Sequence, residues 1–167
     1  MNAMPQRIAI LLALVVVAVG ACSDDEKAQV VDKFVHDLRP GDCFNGRPRA
    51  APQYTGPQDT GGAKRTVLVV DSLPCSGSHD KEVFAVFEHP AKSGGPFPGE
   101  KEVGKVAQDG CAERFEGYAG SPFGKSDLQV AVIAPGPVPW DTEDDRTIVC
   151  TLQGSKPLKG SKKTSGD

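Results

Sequence analysis

The sequence predicts an α+β fold, a small antiparallel sheet with one main amphipathic helix packed on it and two disulfides. Three observations predict it. One segment repeats apolar residues at helical spacing, several short β-branched segments are bounded by turn residues, and four cysteines lie within the same stretch. With 167 residues, of which 19 are glycine and 14 are proline, the chain is long enough for one core built from short elements.

The chain begins with a secretory signal. Arg7 precedes an uninterrupted apolar run, Ile8–Val19, and two small residues lie directly before Cys22. This arrangement resembles the lipobox of bacterial lipoproteins, in which the cysteine becomes the acylated N-terminus after cleavage. The apolar run is shorter than the ~20 residues that a membrane-spanning helix needs. We therefore expect residues 1–21 to be a lipoprotein signal peptide, with a lipid on Cys22 holding the protein on the extracytoplasmic face of the cell membrane.

Residues 22–37 are expected to form an acid-leaning tether. An apolar patch within it has a spacing that would suit one or two helical turns: Val30, Val31, Phe34 and Val35. The folded domain is expected over residues 38–154 and opens with Leu38–Phe44. The next segment, Asn45–Ala63, is rich in Gly, Pro, Gln and Asp and predicts a long exposed loop.

Two β-strands are predicted in the first half of the domain. Thr66–Val70 is rich in β-branched residues, and Glu82–Phe87 is a second, largely apolar segment. The turn Ser76–Asp80 lies between them. Strands that follow each other across a turn commonly pair antiparallel, so we expect these two strands to be neighbours in the sheet.

The segment Glu100–Tyr118 has a helical period. Its apolar residues recur at steps of four, four, four and three, with charged residues between them: Val103, Ala107, Cys111, Phe115 and Tyr118. A single apolar stripe of this kind predicts an amphipathic helix that packs on the sheet. Because the stripe includes Cys111, a bridge from this cysteine to a strand would join helix to sheet.

Two further strands are predicted after the helix, over Leu128–Ala134 and Arg146–Leu152. A proline-rich segment, 135–140, and an acidic turn connect them. Residues 155–167 are rich in Lys, Ser and Gly and predict a disordered tail.

Cysteine usage predicts two disulfides. Beyond Cys22, four cysteines remain, an even number that is typical of an extracytoplasmic domain: Cys43, Cys75, Cys111 and Cys150. Three pairings are compatible with the sequence. We favour Cys43–Cys75 and Cys111–Cys150, each of which closes a loop of intermediate length. A zinc site is disfavoured because no two of these cysteines have the close spacing of a ligand pair.

Three residues are candidates for binding. His79 and Glu82 lie at the mouth of a predicted turn, where they would bind a metal or a peptide; alternatively, His79 fixes its own turn by a hydrogen bond and Glu82 is a solvated strand residue. Two ligands are too few for a metal site. Trp140, the only tryptophan, either covers the core or anchors a partner, and the prolines around it favour partial burial.

Several classes of protein are excluded. The formal net charge of −3 gives no support to a nucleic-acid partner, which needs a basic face. Ala119–Ser126 fits the loose form of a phosphate-binding loop, but a helix enters it and a strand leaves, the reverse of what nucleotide binding requires. The sequence has no G-x-S-x-G nucleophile elbow, and disulfide-bonded cysteines cannot act as nucleophiles. We expect no nucleotide, cofactor or metal, and a protein that is not an enzyme.

The order of four segments is distinctive. Leu38–Phe44 reads LRPGDCF, 75–86 reads CSGSHDKEVFAV, a helix with Cys111 follows, and Trp140 precedes DRTIVC at 145–150. This order resembles the septum-formation domain family of actinobacterial secreted and membrane proteins, over about residues 37–160. His79 and Glu82 match the family's His-x-x-Glu pair. The resemblance implies a link to division-site assembly and supplies no established catalytic residue.

Together these features predict a membrane-anchored lipoprotein that acts as a non-catalytic binding module, associated with septum formation or the cell envelope. Its partner would be an envelope or division protein. One alternative is a module that binds cell-wall polymer or a small ligand through the loops Asn45–Ala63 and Lys92–Glu100. A second alternative, an envelope hydrolase, lacks any catalytic constellation in the sequence.

Replacement of the predicted lipidation site tests the anchor. Cys22→Ala should move the protein from the membrane fraction to the soluble fraction and abolish its labelling by fatty acid, because no other residue would carry the acyl chains. Ser23→Ala is the matched control and should stay in the membrane fraction. A Cys22→Ala protein that still sediments with membranes would contradict the lipobox assignment.

Overall fold

The computed structural model describes residues 30–50 and 68–164, so Cys22 and the predicted signal peptide, 1–21, lie outside the described residues. The elements, in chain order, are β1 (Val31–Phe34), a 3₁₀ turn (Val35–Asp37), β2 (Cys43–Ala50), β3 (Leu68–Leu73), β4 (Ser78–Glu88), α1 (Glu100–Ala119), β5 (Gln129–Ile133), α2 (Pro137–Glu143) and β6 (Thr147–Lys159).

The six described strands form one antiparallel sheet in the order β1-β3-β2-β4-β6-β5. Helix α1 packs on one face, and its buried residues form a core with β4 and β6 that includes Phe84, Phe115 and Leu152. A second apolar cluster includes Phe44, Val83 and Val149. The predicted α+β fold, with one main helix on an antiparallel sheet, is confirmed.

Helix α1 buries the stripe that the sequence predicts: Val103, Ala107, Cys111, Phe115 and Tyr118. Glu100 and Glu102 in the first turn lie at the positive end of the helix dipole. The helix ends at Gly120, whose φ of 69° is left-handed and whose N–H bonds to the Glu116 carbonyl. Its length and position therefore follow from periodicity and a glycine C-cap.

Both favoured disulfides are present. Cys111–Cys150 joins α1 to the internal strand β6, and both cysteines are fully buried. Cys43–Cys75 joins the start of β2 to the chain just after β3. In a domain of this size, each bridge adds roughly 3–4 kcal/mol of stability in the loop-entropy model.

The prediction that β3 and β4 are neighbours is wrong, because β2 lies between them. Cys43 lies opposite Leu73 on one side and opposite Glu82 on the other. The predicted loop Asn45–Ala63 thus begins with a strand as far as Ala50; residues 51–63 lie outside the described part. Gly46, at a φ of 73°, and Pro48 fall where the register of β2 against β3 shifts, so a bulge accommodates the residues that resembled a loop.

Three other expectations are corrected. In the apolar patch of the predicted tether, Val31 and Phe34 lie in strand β1, which pairs with the edge of β3, and only Val35 begins a helical turn, the 3₁₀ turn Val35–Asp37. The proline-rich connection contains a short helix, α2, which starts at Pro137, where a missing N–H costs nothing. The predicted tail is ordered as far as residue 164. Strand β6 continues to Lys159, where buried Leu158 lies opposite His79.

No helix in the described parts of the chain has the length and apolarity required to cross a membrane.

Two glycines of α1 give a test of the helix–sheet contact. A Cβ at Gly110 would lie 2.9 Å from Cε2 of Phe87 and closer still to Cζ, whereas a Cβ at Gly104 would meet nothing within 4 Å. Gly110→Ala should therefore lower the free energy of unfolding by about 1–3 kcal/mol through overpacking. Gly104→Ala, the control, should raise it by about 0.4–1 kcal/mol through reduced chain entropy. Urea unfolding of both variants measures the difference, and equal stabilities would contradict the packing.

Candidate functional site

Glu82 lies in the sheet beneath α1. In a strand, alternate residues point to the same face, so Glu82 shares the α1 side with Phe84, while Val83 packs in the opposite cluster. Its strand neighbour on β2 is Cys43. The register of β4 against β6 shifts between His79 and Lys81. That irregularity brings His79, which strict alternation would place on the other face, to the same side as Glu82.

The carboxylate of Glu82 is fully buried and accepts three hydrogen bonds. Oε1 accepts from the Tyr118 hydroxyl at 2.6 Å and from the Ser161 hydroxyl, and Oε2 accepts from the Lys162 backbone N–H at 2.8 Å. The interpretation of Glu82 as a solvated strand residue is therefore wrong. A buried carboxylate is tolerated only where hydrogen-bond donors of the protein replace its water. Two of the three donors, Ser161 and Lys162, belong to the segment that was predicted to be disordered.

Residues 160–164, which we call the C-terminal strap, cover this position. Besides the bonds to Glu82, the Gly160 N–H bonds to the Cys75 carbonyl at 2.8 Å and the Thr164 N–H bonds to the Tyr118 carbonyl at 2.9 Å. Burial, with the hydrogen bond to Glu82 as the next cause, raises the pKa of Tyr118 far above its usual value of 10.0. The strap thus closes the site.

His79 is fully buried beside Glu82. Its Nδ1 donates to the Gly77 carbonyl at 2.9 Å, which fixes the turn that precedes β4. Its Nε2 lies 4.0 Å from Oε2 of Glu82 and has no hydrogen-bond partner among the described residues. The structure therefore brings the two predicted binding residues together, but under the strap and out of contact with solvent.

Trp140, on α2, is the centre of a second cluster, which contains Trp140, Arg146, Asp144, His89 and Phe97 (the Trp140 cluster). Trp140 is only 1% exposed, so the expectation of partial burial is wrong. Its Nε1 donates to the Gly95 carbonyl at 3.0 Å, and the rings of His89 and Phe97 meet it edge-on. The tryptophan joins α2 to the loop before α1.

Arg146 holds the Trp140 cluster together. Its guanidinium is buried and lies 3.8 Å from the Trp140 ring centroid. It also donates to the carbonyls of Trp140 and Gly95, at 3.0 Å and 3.1 Å, and forms a 2.7 Å ion pair with Asp144. One cation therefore ties β6, α2 and the Gly95 loop together.

The pKa values of two ionisable neighbours of Arg146, Asp144 and His89, are both lowered. The Ser93 hydroxyl, the Gly94 N–H and then Arg146 hold the pKa of Asp144 below its usual value. Burial is the main cause that lowers the pKa of His89, with Glu102 opposing and Arg146 assisting. The two lowered pKa values favour a charged Asp144 and a neutral His89, which avoids a second cation near the guanidinium.

A cleft of about 510 Å³ lies against the Trp140 cluster, between Gly94–Pro96 and Trp140–Asp144. Asp141 and Glu143 are exposed there, and Asp144 is bound at its rim. The exposed carboxylates suit a basic group. Sequence reasoning identified Trp140 and the acidic turn but missed Arg146 and Gly95, because an arginine at a strand start and a glycine in a loop carry no signal of their own.

Comparison with known proteins gives one positive result. A family model described as septum formation matches residues 59–167. The matched range contains His79, Glu82, the Trp140 cluster and the C-terminal strap. No curated protein and no solved structure matches the chain.

Removal of the Glu82 charge tests the strap. In Glu82→Gln, an N–H₂ group replaces one carboxylate oxygen and cannot accept a hydrogen bond from the donor that faces it. With one of three hydrogen bonds lost, the free energy of unfolding should fall by about 1.5–3 kcal/mol. The pKa of Tyr118 should fall toward 10.0 as its charged acceptor is lost, measured by ultraviolet titration. Exchange of the Lys162 amide should accelerate in the same variant. Exposed Glu116→Gln is the control, and an unchanged Lys162 amide in Glu82→Gln would contradict the strap contact.

Proposed function

Because this chain belongs to the septum-formation family, we propose that it acts in septum formation as a membrane-anchored, non-catalytic binding module. A lipid on Cys22 would hold it on the extracytoplasmic face of the membrane. The lipobox-like sequence before Cys22 supports the anchor, and the even number of remaining cysteines supports an oxidising compartment. The partner would be an envelope or division protein.

The observation that carries the proposal is a contrast between two groups of polar side chains. His79 and Glu82 are buried and bonded within the domain, so in this form they contact no ligand from solvent. Asp141 and Glu143 are exposed at the 510 Å³ cleft against the Trp140 cluster. Binding at a surface therefore suits the accessible side chains better than chemistry in a pocket does.

The cleft points to a partner with a basic side chain. An arginine or lysine that enters it would pair with the exposed carboxylates at the rim while its aliphatic part packs along the wall formed by Gly94–Pro96. The contacts of Arg146 hold Trp140 and Asp144 in place before the partner arrives, which reduces the entropy cost of binding. We propose this cleft as the contact surface.

A second candidate, a wall-polymer or small-ligand module, is favoured by one observation. The loop Lys92–Glu100, which the sequence singles out for this role, supplies one wall of the cleft. The other predicted loop lies mostly outside the described residues. The exposed carboxylates disfavour an anionic polymer at this position, so a protein partner remains the leading proposal.

Imaging of a tagged, full-length protein in dividing cells tests the proposal. The wild type should be enriched at septa, and Asp141→Lys should lose most of that enrichment because it reverses one charge at the cleft. Glu116→Lys makes the same charge change on an exposed face of α1 and should keep the septal signal. An even distribution of the wild type would contradict the septal role. Septal enrichment of a folded Asp141→Lys protein would contradict the cleft as the contact surface.

A further inference from the structure

Three potential metal ligands meet beneath the C-terminal strap. One ligand atom each of Cys43, His79 and Glu82 lies within 4.8 Å of the other two, and all three residues are buried. The sulfur of Cys75 is bonded to that of Cys43 and so adjoins the same point. We propose that reduction of the Cys43–Cys75 disulfide converts this cluster into a tetrahedral zinc site with these four residues as ligands.

The disulfide withholds two of the four ligands from zinc. A disulfide sulfur is a poor ligand for zinc, whereas a thiolate is among the best. A dithiol or phosphine reductant supplies two electrons: the bond between the sulfurs of Cys43 and Cys75 breaks, the reductant is oxidised, and two thiols form. Zinc then displaces their two protons.

The orientation of His79 supports the proposal. A metal-bound histidine almost always donates its other ring N–H to a carbonyl or carboxylate. His79 has this arrangement, because Nδ1 donates to Gly77 while Nε2 faces Oε2 of Glu82 at 4.0 Å. In its neutral form, Nε2 presents a buried lone pair to a carboxylate oxygen, so a cation between the two atoms would satisfy both.

The two carboxylate oxygens of Glu82 have different hydrogen-bond partners, and this difference leaves one oxygen suited to bind a metal. Oε1 accepts from Tyr118 and Ser161, which would hold the carboxylate in place as outer-shell partners. Oε2 accepts only the Lys162 N–H among the described residues and faces His79. Oε2 is therefore the oxygen that would bind the metal.

Neither the size nor the charge of the cluster opposes zinc. Zinc ligands at about 2.0–2.3 Å from the metal stand roughly 3.3–3.8 Å apart in a tetrahedron. The ligand atoms of Cys43, His79 and Glu82 must therefore approach one another by at most ~1 Å, and the two sulfurs must move apart once their bond is broken. Two thiolates and Zn²⁺ carry together the same net charge as the neutral disulfide that they replace. Burial of the metal therefore adds no net charge beyond that of the Glu82 carboxylate.

A reductant can reach the Cys43–Cys75 disulfide from solvent through Cys75. Cys43 is buried, but Cys75 is partly exposed at the turn before β4. Attack at the sulfur of Cys75 would release the sulfur of Cys43 directly toward His79 and Glu82. Cys111 and Cys150 are both fully buried, so their bridge is shielded.

Metal binding by the purified full-length chain tests the proposal, with Zn²⁺ and Co²⁺ as the probes. The oxidised chain should bind no stoichiometric metal, and the chain reduced by a phosphine should bind one ion, with the cobalt absorption of tetrahedral thiolate coordination. His79→Ala should weaken zinc affinity by at least about 100-fold. Exposed His36→Ala is the matched control and should bind as the wild type does.

Two further measurements keep the result decisive. The double variant Cys111→Ala/Cys150→Ala should still bind one ion after reduction; loss of binding in a folded double variant would assign the metal to the other pair. Circular dichroism follows the fold. If reduction unfolds the chain, zinc should restore the folded signal. A reduced chain that binds no zinc, or that zinc does not refold, overturns the proposal, as does a His79→Ala variant with wild-type affinity.

Discussion

The buried carboxylate of Glu82 is the constraint on which much of the domain depends, because a charge without water must be given hydrogen bonds. Its donors lie at the end of α1 and in the C-terminal strap, so satisfying it fixes both against β4. The Cys43–Cys75 bridge ties β2 to β3 at the same level of the sheet. At the other end of β4, buried Arg146 plays the corresponding part for α2 and the Gly95 loop.

The sequence predicted those parts of the fold that local patterns determine. The stripe of α1 recurs within one segment, so periodicity alone placed Cys111 on the buried face. Strand order depends on partners far along the chain. Gly46 and Pro48 made β2 resemble a loop, and only its pairing with β3 and β4 reveals a bulged strand between them. The error in sheet order follows from that one misassigned segment.

The candidate site likewise contains one contact that the local sequence predicts and others that depend on residues far along the chain. The bond from His79 to Gly77 spans two residues and was predictable from the turn. The burial of Glu82 rests on donors 79 and 80 residues later, and that of Trp140 on a carbonyl 45 residues earlier. No local composition reports such contacts. The lysine-rich composition of the strap even suggested disorder. Its bonds to Glu82 come from one backbone N–H and one serine hydroxyl, groups that such a composition does not single out.

The two bridges join the first of these four cysteines to the second and the third to the fourth, without crossing. A chain that emerges from its N-terminal side presents Cys43 and Cys75 before Cys111 appears. With Cys22 withheld by its predicted lipid, an oxidant that couples the remaining thiols in their order of appearance would therefore form the native bonds directly. Maturation would then need no disulfide isomerase, and the helix bridge would close only after Cys150, in the last strand, had emerged.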